Sequence, residues 1–551
     1  MTRPIIRFSA ITPFFDWRWL DSPSRNRWGT RMPTVRDVTI RLLRELGITT
    51  IFGNPGSTEL PLFRDFPDDF RYVLGLQESV VVGMADGYAL ATRNAAFVNL
   101  HSSAGTGHAL GNIFTAYKNQ APLIITAGQQ ARSILPFEPF LHAERAIEFP
   151  QPFVKWTCEP ARPQDVPLAI ARAYYEAMTP PCGPAFVSVP VDDWDADCDW
   201  VSGREIATLN PGDPAAVTKL ADSLQRAISP AFVLGAGVAR DQAWEELIAL
   251  AEQQKASVYV APYTSRSVFP ETHRLFRGFV PAFKEAMNTL LAEHDLVVAF
   301  GGPLNLYHAE GQGPDLPAGI CCWTLGDNPR VLSWAPVGNG ILGNCRAIAA
   351  ALMVHTYPVE RTAPPLRLQA PELDRAVLDD RLAMQIINEV LPANGVIVEE
   401  APTSRGPMQE YLRLDRQDGF YTSASGGLGY AMPAAVGIAL ARSEERVIAV
   451  IGDGSAMYGI QSLFSAYQLN VPVTFVIINN GKYQALRKFG RIFGMQDVVG
   501  TDLSGLEFCA LARGHGLPEG IRVNDAEGLT NALNRSFATS GPSLIEVLVS
   551  P

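Results

Sequence analysis

Residues 451–486 read IGDGSAMYGIQSLFSAYQLNVPVTFVIINNGKYQAL, and this stretch decides the fold class of the chain. It has the pattern of one βαβ unit, in which a strand ends at Asp453 and a second strand ends at Asn480. The helix between the two strands is predicted to begin near Ser455. One face of this helix is predicted to carry Met457, Ile460, Leu463, Phe464 and Tyr467. Because neighbouring parallel strands end at the same edge of a sheet, Asp453 and Asn480 are expected to face one crevice.

The residue types at this edge fit a magnesium site beside a phosphate group. Mg²⁺ takes about six oxygen ligands and usually shares them with phosphates. The Asp453 carboxylate, the Asn480 side chain and one backbone carbonyl would therefore leave positions for a diphosphate. Gly452 and Gly454 let the backbone come close, and the N–H groups near Ser455 are free to meet an anion. A plain turn with Asp453 as a helix cap is the alternative.

Length and composition predict several domains. A chain of 551 residues exceeds one compact core, and 47% hydrophobic with 18% charged residues favours a well-packed globular protein. Residues 1–31 are rich in Arg and aromatic residues, and they are expected to be an extension outside the fold. Two stretches of low periodicity, 192–213 and 355–372, separate the rest of the chain into parts. The three predicted domains are 32–195, 214–354 and 373–551.

Each predicted domain alternates short β-branched runs with longer amphipathic patterns. This alternation is typical of parallel sheets covered by helices, so the predicted class is α/β with three doubly wound parallel-sheet domains. The strands predicted in the first and last domains are Thr49–Phe52, Tyr72–Leu76, Ala96–Leu100, Leu123–Ala127, Val396–Glu399, Val447–Ile451, Val473–Ile478 and Leu544–Val549.

The central domain carries two strand patterns that end in glycine turns, AFVLGAGVAR (231–240) and DLVVAFGGP (295–303). The GxG of the first pattern lacks the third glycine of a dinucleotide fingerprint. Binding of a nucleotide or flavin by this domain therefore stays open beside a plain close turn.

Charge and cysteine usage exclude several classes of partner. The formal net charge of −11 comes without a basic stripe, so no nucleic-acid partner is expected. No apolar run approaches the 18 or so residues that span a bilayer, so no membrane segment is expected. The seven cysteines form no CxxC pair and are interpreted as reduced thiols of a cytoplasmic protein. Small molecules are the expected partners.

The chain resembles a known enzyme family at several motifs. The GDG at 452–454, followed after a βαβ interval by the NN at 479–480, resembles the diphosphate-binding motif of thiamine diphosphate enzymes. FGNPGS, DFRYVL, AGTG, TAGQQ and VPVDDWD resemble benzoylformate decarboxylases, and the resemblance covers nearly all of 32–551. It implies a pyrimidine-binding N-terminal domain, a central domain and a diphosphate-binding C-terminal domain. It also implies thiamine diphosphate and Mg²⁺ as cofactors, with a main-chain oxygen of Lys482 as the third protein ligand of the metal.

The resemblance assigns the residues that activate the cofactor. Thiamine diphosphate loses the C2 proton of its thiazolium ring, and the resulting carbanion attacks a carbonyl. LQE followed by ADGYA matches the activating glutamate of the family, which is Glu78 here. The segment SASGGLGYAMPAA (423–435) matches the cofactor prop, so Gly426 would offer a carbonyl and Leu428 would be the apolar wedge. A solvated glutamate and glycines that serve only helix packing are the alternatives.

Three polar residues match the substrate-handling set of the same family. They are Ser57 in FGNPGSTE, His101 in VNLHSSAGTG and His308 in GGPLNLYHAE. The resemblance implies that Ser57 orients the substrate carboxylate and that the two histidines move protons. A helix cap for Ser57 and structural histidines are the alternatives.

The walls of the substrate pocket are less well defined. Phe140, Leu141, Leu486 and Phe489 are the expected apolar lining, with core packing as the alternative. The chain departs from the family at Thr422, where the family has an aromatic residue, at Lys488, and in EEAPTSR (399–405). Without the aromatic residue, the cavity is expected to accept ring-substituted substrates.

The resemblance predicts non-oxidative decarboxylation of an aromatic 2-oxo acid to an aldehyde and CO₂, with carboligation of aldehydes as a side reaction. It also implies active sites between the subunits of a dimer or homotetramer. A carboligase or lyase of the acetolactate synthase type is the first alternative. An inactive subunit that binds the cofactor is the second.

Overall fold

Three parallel sheets of six strands each organise the chain in the computed structural model, which describes residues 32–518 and 520–550. Every pair of neighbouring strands within these sheets is parallel. Helices flank each sheet. The predicted α/β class with three doubly wound domains is therefore confirmed. The predicted extension, residues 1–31, lies outside the described residues.

The first sheet has the order β2-β1-β3-β4-β6-β5. Its strands are β1 (Thr50–Gly53), β2 (Arg71–Leu74), β3 (Ala96–Leu100), β4 (Leu123–Gln129), β5 (Thr157–Cys158) and β6 (Pro184–Pro190). Its helices are α1 (Val35–Glu45), α2 (Glu78–Thr92), α3 (Ser102–Asn119) and α4 (Val166–Met178). Strand β6 is not predicted from sequence, because a segment that begins and ends with proline is a weak strand signal.

The second sheet has the order β12-β11-β10-β7-β8-β9. Its strands are β7 (Pro230–Leu234), β8 (Ser257–Val260), β9 (Phe276–Phe279), β10 (Leu296–Phe300), β11 (Cys321–Gly326) and β12 (Asn339–Leu342). Its helices are α5 (Pro214–Arg226), α6 (Gly237–Arg240), α7 (Trp244–Gln254), α8 (Lys284–Leu291), α9 (Pro329–Trp334) and α10 (Cys345–His355). A Cβ added at Gly235 would lie 2.5 Å from the Cα of Gly302, so close approach of two turns accounts for this glycine.

The third sheet has the order β14-β13-β15-β16-β18-β17. Its strands are β13 (Val396–Glu400), β14 (Phe420–Thr422), β15 (Val447–Gly452), β16 (Val473–Asn479), β17 (Gly520–Val523) and β18 (Ser543–Leu548). Its helices are α11 (Asp380–Val390), α12 (Arg405–Tyr411), α13 (Ala431–Ala441), α14 (Asp453–Gly459), α15 (Ser462–Leu469), α16 (Gln484–Gly490), α17 (Phe508–Gly514) and α18 (Ala526–Phe537).

The single helix predicted between β15 and β16 is wrong in two respects. It begins at Asp453 rather than near Ser455, and it is broken into α14 and α15. The break changes which side chains face the core, because the second helix does not continue the phase of the first. Met457 is 36% exposed and Tyr467 is 50% exposed, although both belong to the face predicted to be shared with the buried Leu463.

Helices α2 and α13 join the first and third domains within one chain. Their backbones approach so closely that a Cβ at Gly437 would lie 1.9 Å from the Met84 carbonyl oxygen. A Cβ at Gly87 would lie 2.3 Å from the carbonyl oxygen of Ala434. A larger residue at either glycine would force the helices apart. Because α2 begins at Glu78 and the predicted prop segment runs into the start of α13, this packing fixes Glu78 and the prop segment relative to each other.

Two further observations concern membrane-spanning helices and cysteines. In the part of the chain that the structure describes, no helix is both long and apolar enough to cross a membrane. Each of the seven cysteines is a free thiol.

Candidate active site

The predicted metal ligands lie at the carboxyl edge of the third sheet. Asp453 follows β15 directly, and Asn480 follows the neighbouring strand β16. Asp453 is 4% exposed, and its Oδ1 accepts the N–H of Gly454 at 2.7 Å. Its Oδ2 is buried and has no hydrogen-bond partner among the described residues. A buried carboxylate oxygen without a partner is costly, and a bound cation would satisfy it.

The loop that follows β16 surrounds this carboxylate with backbone groups. Burial raises the pKa of Asp453, whereas the N–H groups of Gly454 and of residues 480–482 lower it. Gly481 has a φ of +67°, in the left-handed region that favours glycine. Asn480 Oδ1 accepts the N–H of Lys482 at 3.0 Å, and the Lys482 carbonyl accepts the N–H of Gln484 at 2.8 Å. The Lys482 oxygen keeps a second lone pair for a metal.

Side chains of α3 hold the first part of the predicted prop segment, residues 423–429. Thr115 and Ser425 share a hydrogen bond of 2.9 Å between their hydroxyls, and Asn119 Oδ1 accepts the Ala424 N–H at 2.9 Å. Asn112 Nδ2 donates to the Ser79 carbonyl at 2.7 Å and to the Gly429 carbonyl at 3.0 Å. The turn that carries Gly426 and Leu428 is therefore tied to the start of α2.

Glu400, which the sequence analysis does not select, anchors the same segment from the other side. It is 6% exposed at the end of β13. Its carboxylate accepts the N–H groups of Gly429, Tyr430 and Ala431 at 2.6, 2.7 and 2.7 Å. An anion at the start of α13 also interacts favourably with the helix dipole. Burial, opposed by these N–H groups, raises the pKa of Glu400 to about 7.

The predicted activating residue, Glu78, is the first residue of α2 and is 8% exposed. Asn54 Nδ2 donates to its Oε1 at 3.2 Å, and His108 Nδ1 lies 3.2 Å from its Oε2. A Cβ added at Gly105 would lie 3.5 Å from Glu78 Oε1 and 3.5 Å from the Cβ of His101, so these two side chains flank one glycine. Neither Asn54 nor His108 is identified by the sequence analysis.

His101 is held by a buried carboxylate that the sequence analysis also misses. Glu59 is 1% exposed, and its Oε2 lies 2.9 Å from His101 Nδ1 and accepts the Gly56 N–H at 2.9 Å. The Thr58 hydroxyl donates to Glu59 Oε1 at 2.5 Å. A Cβ at Gly56 would lie 2.0 Å from His101 Nδ1, so the imidazole packs against this turn only because residue 56 is glycine. Ser57, in the same turn, is exposed.

His308 lies apart from this group, between the central and third domains. Its Nδ1 is 2.5 Å from the hydroxyl of Tyr263, and its ring centroid is 4.5 Å from that of Phe489. The structure therefore brings together His308 and Phe489, as a shared pocket would require. Tyr263 is a third member that the sequence analysis does not identify.

The remaining predicted pocket residues lie at the surface of the single chain. Phe140 is 86% exposed and Leu486 is 52% exposed. Leu141 has a φ of +65° in the loop between β4 and β5. The chain thus gathers its predicted residues into one group at the edge of the first sheet, around Glu78 and His101. A second group lies at the edge of the third sheet, around Asp453.

Thr422, where the chain departs from the family, is buried and hydrogen bonded. The acceptance of ring-substituted substrates stays a prediction. The Thr422 hydroxyl lies 2.8 Å from the Glu399 carbonyl oxygen and 2.9 Å from Glu399 Oε2. Arg405 forms an ion pair with the buried Glu399 carboxylate, and its Nη1 lies 3.3 Å from the Thr422 hydroxyl. A polar wall stands here in place of an aromatic one. Lys488 is exposed on α16.

Models of three protein domains match the chain in order. They are the N-terminal TPP binding domain of thiamine pyrophosphate enzymes over residues 33–146, the central domain over 217–323 and the C-terminal TPP binding domain over 403–547. Thiamine pyrophosphate is another name for thiamine diphosphate.

Individual proteins give a closer match. The chain is 40% identical to a benzoylformate decarboxylase of Pseudomonas aeruginosa, over 94% of this chain and 99% of that protein. It is 24% identical to a probable acetolactate synthase large subunit of Methanocaldococcus jannaschii, over 94% of this chain and 92% of that protein.

Two solved structures of decarboxylases are also similar to the chain. The benzoylformate decarboxylase of Polynucleobacter necessarius matches with a TM-score of 0.92 and 38% identity, over 94% of this chain and 99% of that one. A thiamine diphosphate-dependent 4-hydroxybenzoylformate decarboxylase of Rhodococcus jostii matches with a TM-score of 0.91 and 39% identity, over the same shares of the two chains. The chain therefore belongs to the benzoylformate decarboxylase family of thiamine diphosphate-dependent enzymes.

Proposed function

We propose that this enzyme decarboxylates an aryl 2-oxo acid of the benzoylformate type to an aldehyde and CO₂, with Mg²⁺ holding the cofactor. The observation that carries the proposal is the pairing of His101 with the buried Glu59, beside the predicted activating carboxylate of Glu78. In this arrangement Glu59 fixes the position of His101, which can carry a proton next to the residue that would activate the cofactor. The names of the relatives from Pseudomonas and Polynucleobacter support the same substrate class.

Bound thiamine diphosphate would supply the nucleophilic carbon for the 2-oxo group and accept the electron pair that CO₂ leaves behind. The chain's own residues would bind and orient it. Asp453, the Asn480 side chain and the Lys482 carbonyl would hold the Mg²⁺, and the orphaned Oδ2 of Asp453 fits this role. Leu428 would prop the two rings, and Glu78 would hydrogen bond with the pyrimidine.

The substrate would contact Ser57, His101 and His308. Ser57 would orient the carboxylate that is lost. His101, supported by the negative charge of Glu59, can hold a proton for the carbonyl oxygen of the substrate. His308, bonded to the Tyr263 hydroxyl, can hand a proton to the carbon that becomes the aldehyde. An apolar surround at Phe489 favours the loss of a charged carboxylate to give a neutral product.

We also propose that the active site lies between two subunits of a dimer or homotetramer. Glu78 and Asp453 belong to separate groups in the single chain, and each group borders exposed apolar side chains. Phe140 is 86% exposed near the first group, and Phe493 and Val499 are 68% and 92% exposed near the second. Contact with a partner chain would bury this surface. The seven free cysteines fit a reducing compartment, so we propose a cytoplasmic location.

A panel of 2-oxo acids tests the proposed function. The purified chain, supplied with thiamine diphosphate and Mg²⁺, is expected to release aldehyde from benzoylformate with a higher kcat/KM than from pyruvate. Preference for pyruvate, with acetolactate as the product, would favour the carboligase alternative that the 24% identical relative represents. No turnover with any 2-oxo acid would favour an inactive subunit.

A further inference from the structure

A buried ion pair stands at the carboxyl edge of the third sheet, next to the predicted prop segment. Glu399 is the last residue but one of β13, its side chain is 2% exposed, and it lies opposite Thr422 of β14. Its carboxylate accepts the Ala401 N–H at 2.7 Å and is paired with Arg405. Buried carboxylates of this kind require a charged partner, and Arg405 supplies it.

The side chains of Thr422 and Arg405 both contact the Glu399 carboxylate, so the residue at each position constrains the residue at the other. The Thr422 hydroxyl lies 2.9 Å from Glu399 Oε2 and 3.3 Å from Arg405 Nη1, so the threonine takes part in the ion pair. An aromatic ring at position 422 would occupy the space of the guanidinium and leave Glu399 buried without its partner. The two departures from the family in this region, at 399–405 and at 422, therefore act as one coupled change.

Arg405 also faces residues that border the predicted substrate pocket. Its Nη2 donates to the Thr264 carbonyl at 3.3 Å, and its guanidinium carbon lies 5.4 Å from the centre of the Phe420 ring. The residue before Thr264 is Tyr263, whose hydroxyl meets His308. A chain of contacts thus leads from Arg405 to the predicted proton carrier His308.

One N–H donor of the Arg405 guanidinium is available to a ligand. Nη1 and Nη2 have protein acceptors, whereas Nε has none among the described residues, and the side chain is 27% exposed. A cavity of about 50 Å³ is lined in part by Arg405, Tyr263, Thr264 and Phe420. Since about 10–15 Å³ of such volume suffices for one water molecule, this cavity has room for a small substituent.

We propose that Arg405 is a specificity-determining residue that receives an uncharged oxygen substituent, a hydroxyl or methoxy group, at the far end of the substrate's aromatic ring. The inference rests on the proposed function, because it refines the aryl 2-oxo acid named there. An uncharged oxygen fits better than a carboxylate, since Glu399 already neutralises the arginine and would repel a second anion. Arg405 donates one hydrogen bond to this oxygen, and the small cavity limits the size of the group.

The test compares kcat/KM for 4-hydroxybenzoylformate and benzoylformate, and the inhibition constants of 4-hydroxymandelate and mandelate. Arg405→Met alone leaves Glu399 buried without a partner, so the double variant Glu399→Gln/Arg405→Met is used. Its matched control is Glu410→Gln/Arg381→Met, an ion pair on the same domain with side chains 44% and 42% exposed. The mandelates bind without being decarboxylated, so the second comparison works even in a slow variant.

The wild type is expected to prefer the hydroxylated compound in both comparisons. The double variant is expected to lose this preference by about 10-fold or more, the usual effect of a lost charged hydrogen bond, and the control is expected to keep it. A ratio that stays within about twofold of wild type in the double variant would overturn the role of Arg405 and leave the proposed function standing. Failure of the wild type to decarboxylate either arylglyoxylate would overturn the proposed function and this inference with it.

Discussion

Replacing Glu59 by Gln tests how the site prepares His101. The Glu59 carboxylate has three neighbours within hydrogen-bond distance, namely the Gly56 N–H, the Thr58 hydroxyl and His101 Nδ1. A glutamine can keep its carbonyl oxygen toward Gly56 and His101, while its amide group faces the Thr58 hydroxyl, which can turn to accept. The variant therefore keeps the geometry and loses the negative charge.

The expected fall in kcat/KM follows from the loss of the negative charge of Glu59. A hydrogen bond to a charged group contributes about 1.5–3 kcal/mol and a neutral one about 0.5–1.5 kcal/mol, so the charge accounts for about 1–1.5 kcal/mol. Since about 1.4 kcal/mol corresponds to a factor of ten, kcat/KM for benzoylformate should fall about 5- to 15-fold. The fold should persist, because the Gly56 N–H and His101 keep their acceptor and only the Thr58 hydroxyl proton loses its own, at a cost of about 1–3 kcal/mol.

The assay is a double-mutant cycle with His101→Ala. If Glu59 acts through His101, Glu59→Gln should have almost no further effect once the histidine is gone. Glu205→Gln, a substitution of an exposed glutamate in the segment before α5, is the control and should leave kcat/KM unchanged. An equal loss with and without His101, or activity within twofold of wild type, would refute the reasoning.

Four further predictions address other parts of the site and the fold. Glu78→Gln should keep cofactor affinity within about threefold while most of the C2–H/D exchange of the cofactor is lost, and exchange at the wild-type rate would remove Glu78 from its role. Asp453→Ala should weaken the binding of Mg²⁺ and thiamine diphosphate in a titration, so unchanged affinities would contradict the metal site. His101→Ala and His308→Ala should each slow benzoylformate turnover by about 10² or more, whereas Ser57→Ala should mainly raise KM; full activity in both histidine variants would exclude them as proton carriers. Burial raises the pKa of Glu271 from 4.5 to about 8, so between these values the folded chain holds a proton that the unfolded chain has released, and stability is lost as pH rises. The unfolding free energy of Glu271→Gln should therefore gain on that of wild type by about 1.4 kcal/mol per pH unit in this window, and a pH-independent difference in denaturant titrations would show that the residue is ionised throughout.

Strand positions and the diphosphate motif could be predicted from sequence because they depend on local patterns. The β-branched runs that end at glycine turns predict β15 and β16 almost to the residue. The helix between them is mispredicted because a single glycine, Gly459, marks its break, and one glycine is tolerated inside a helical pattern. A periodic pattern carries the phase of a helix only while the helix is unbroken.

The partners of the site residues could not be predicted, because each contact joins positions far apart in the chain. His101 and Glu59 are 42 residues apart, and His108 and Glu78 are 30 apart. Glu400 reaches the start of α13 across 29 residues. The pairing of β1 with β3 brings Glu59 and His101 together, and the packing of α2 against α3 brings Glu78 and His108 together. The same holds for Arg405 and Thr422, whose coupling becomes visible once β13 and β14 lie side by side.

Aldehyde release from benzoylformate by the purified chain shows whether it is a thiamine diphosphate-dependent arylglyoxylate decarboxylase. The rate is measured before and after thiamine diphosphate and Mg²⁺ are added to cofactor-free protein, and it is compared with the rate for pyruvate under the same conditions. The account predicts benzaldehyde formation that depends on both additions, with a kcat/KM above that for pyruvate. Benzaldehyde formation without either addition, or a higher kcat/KM for pyruvate, would contradict it.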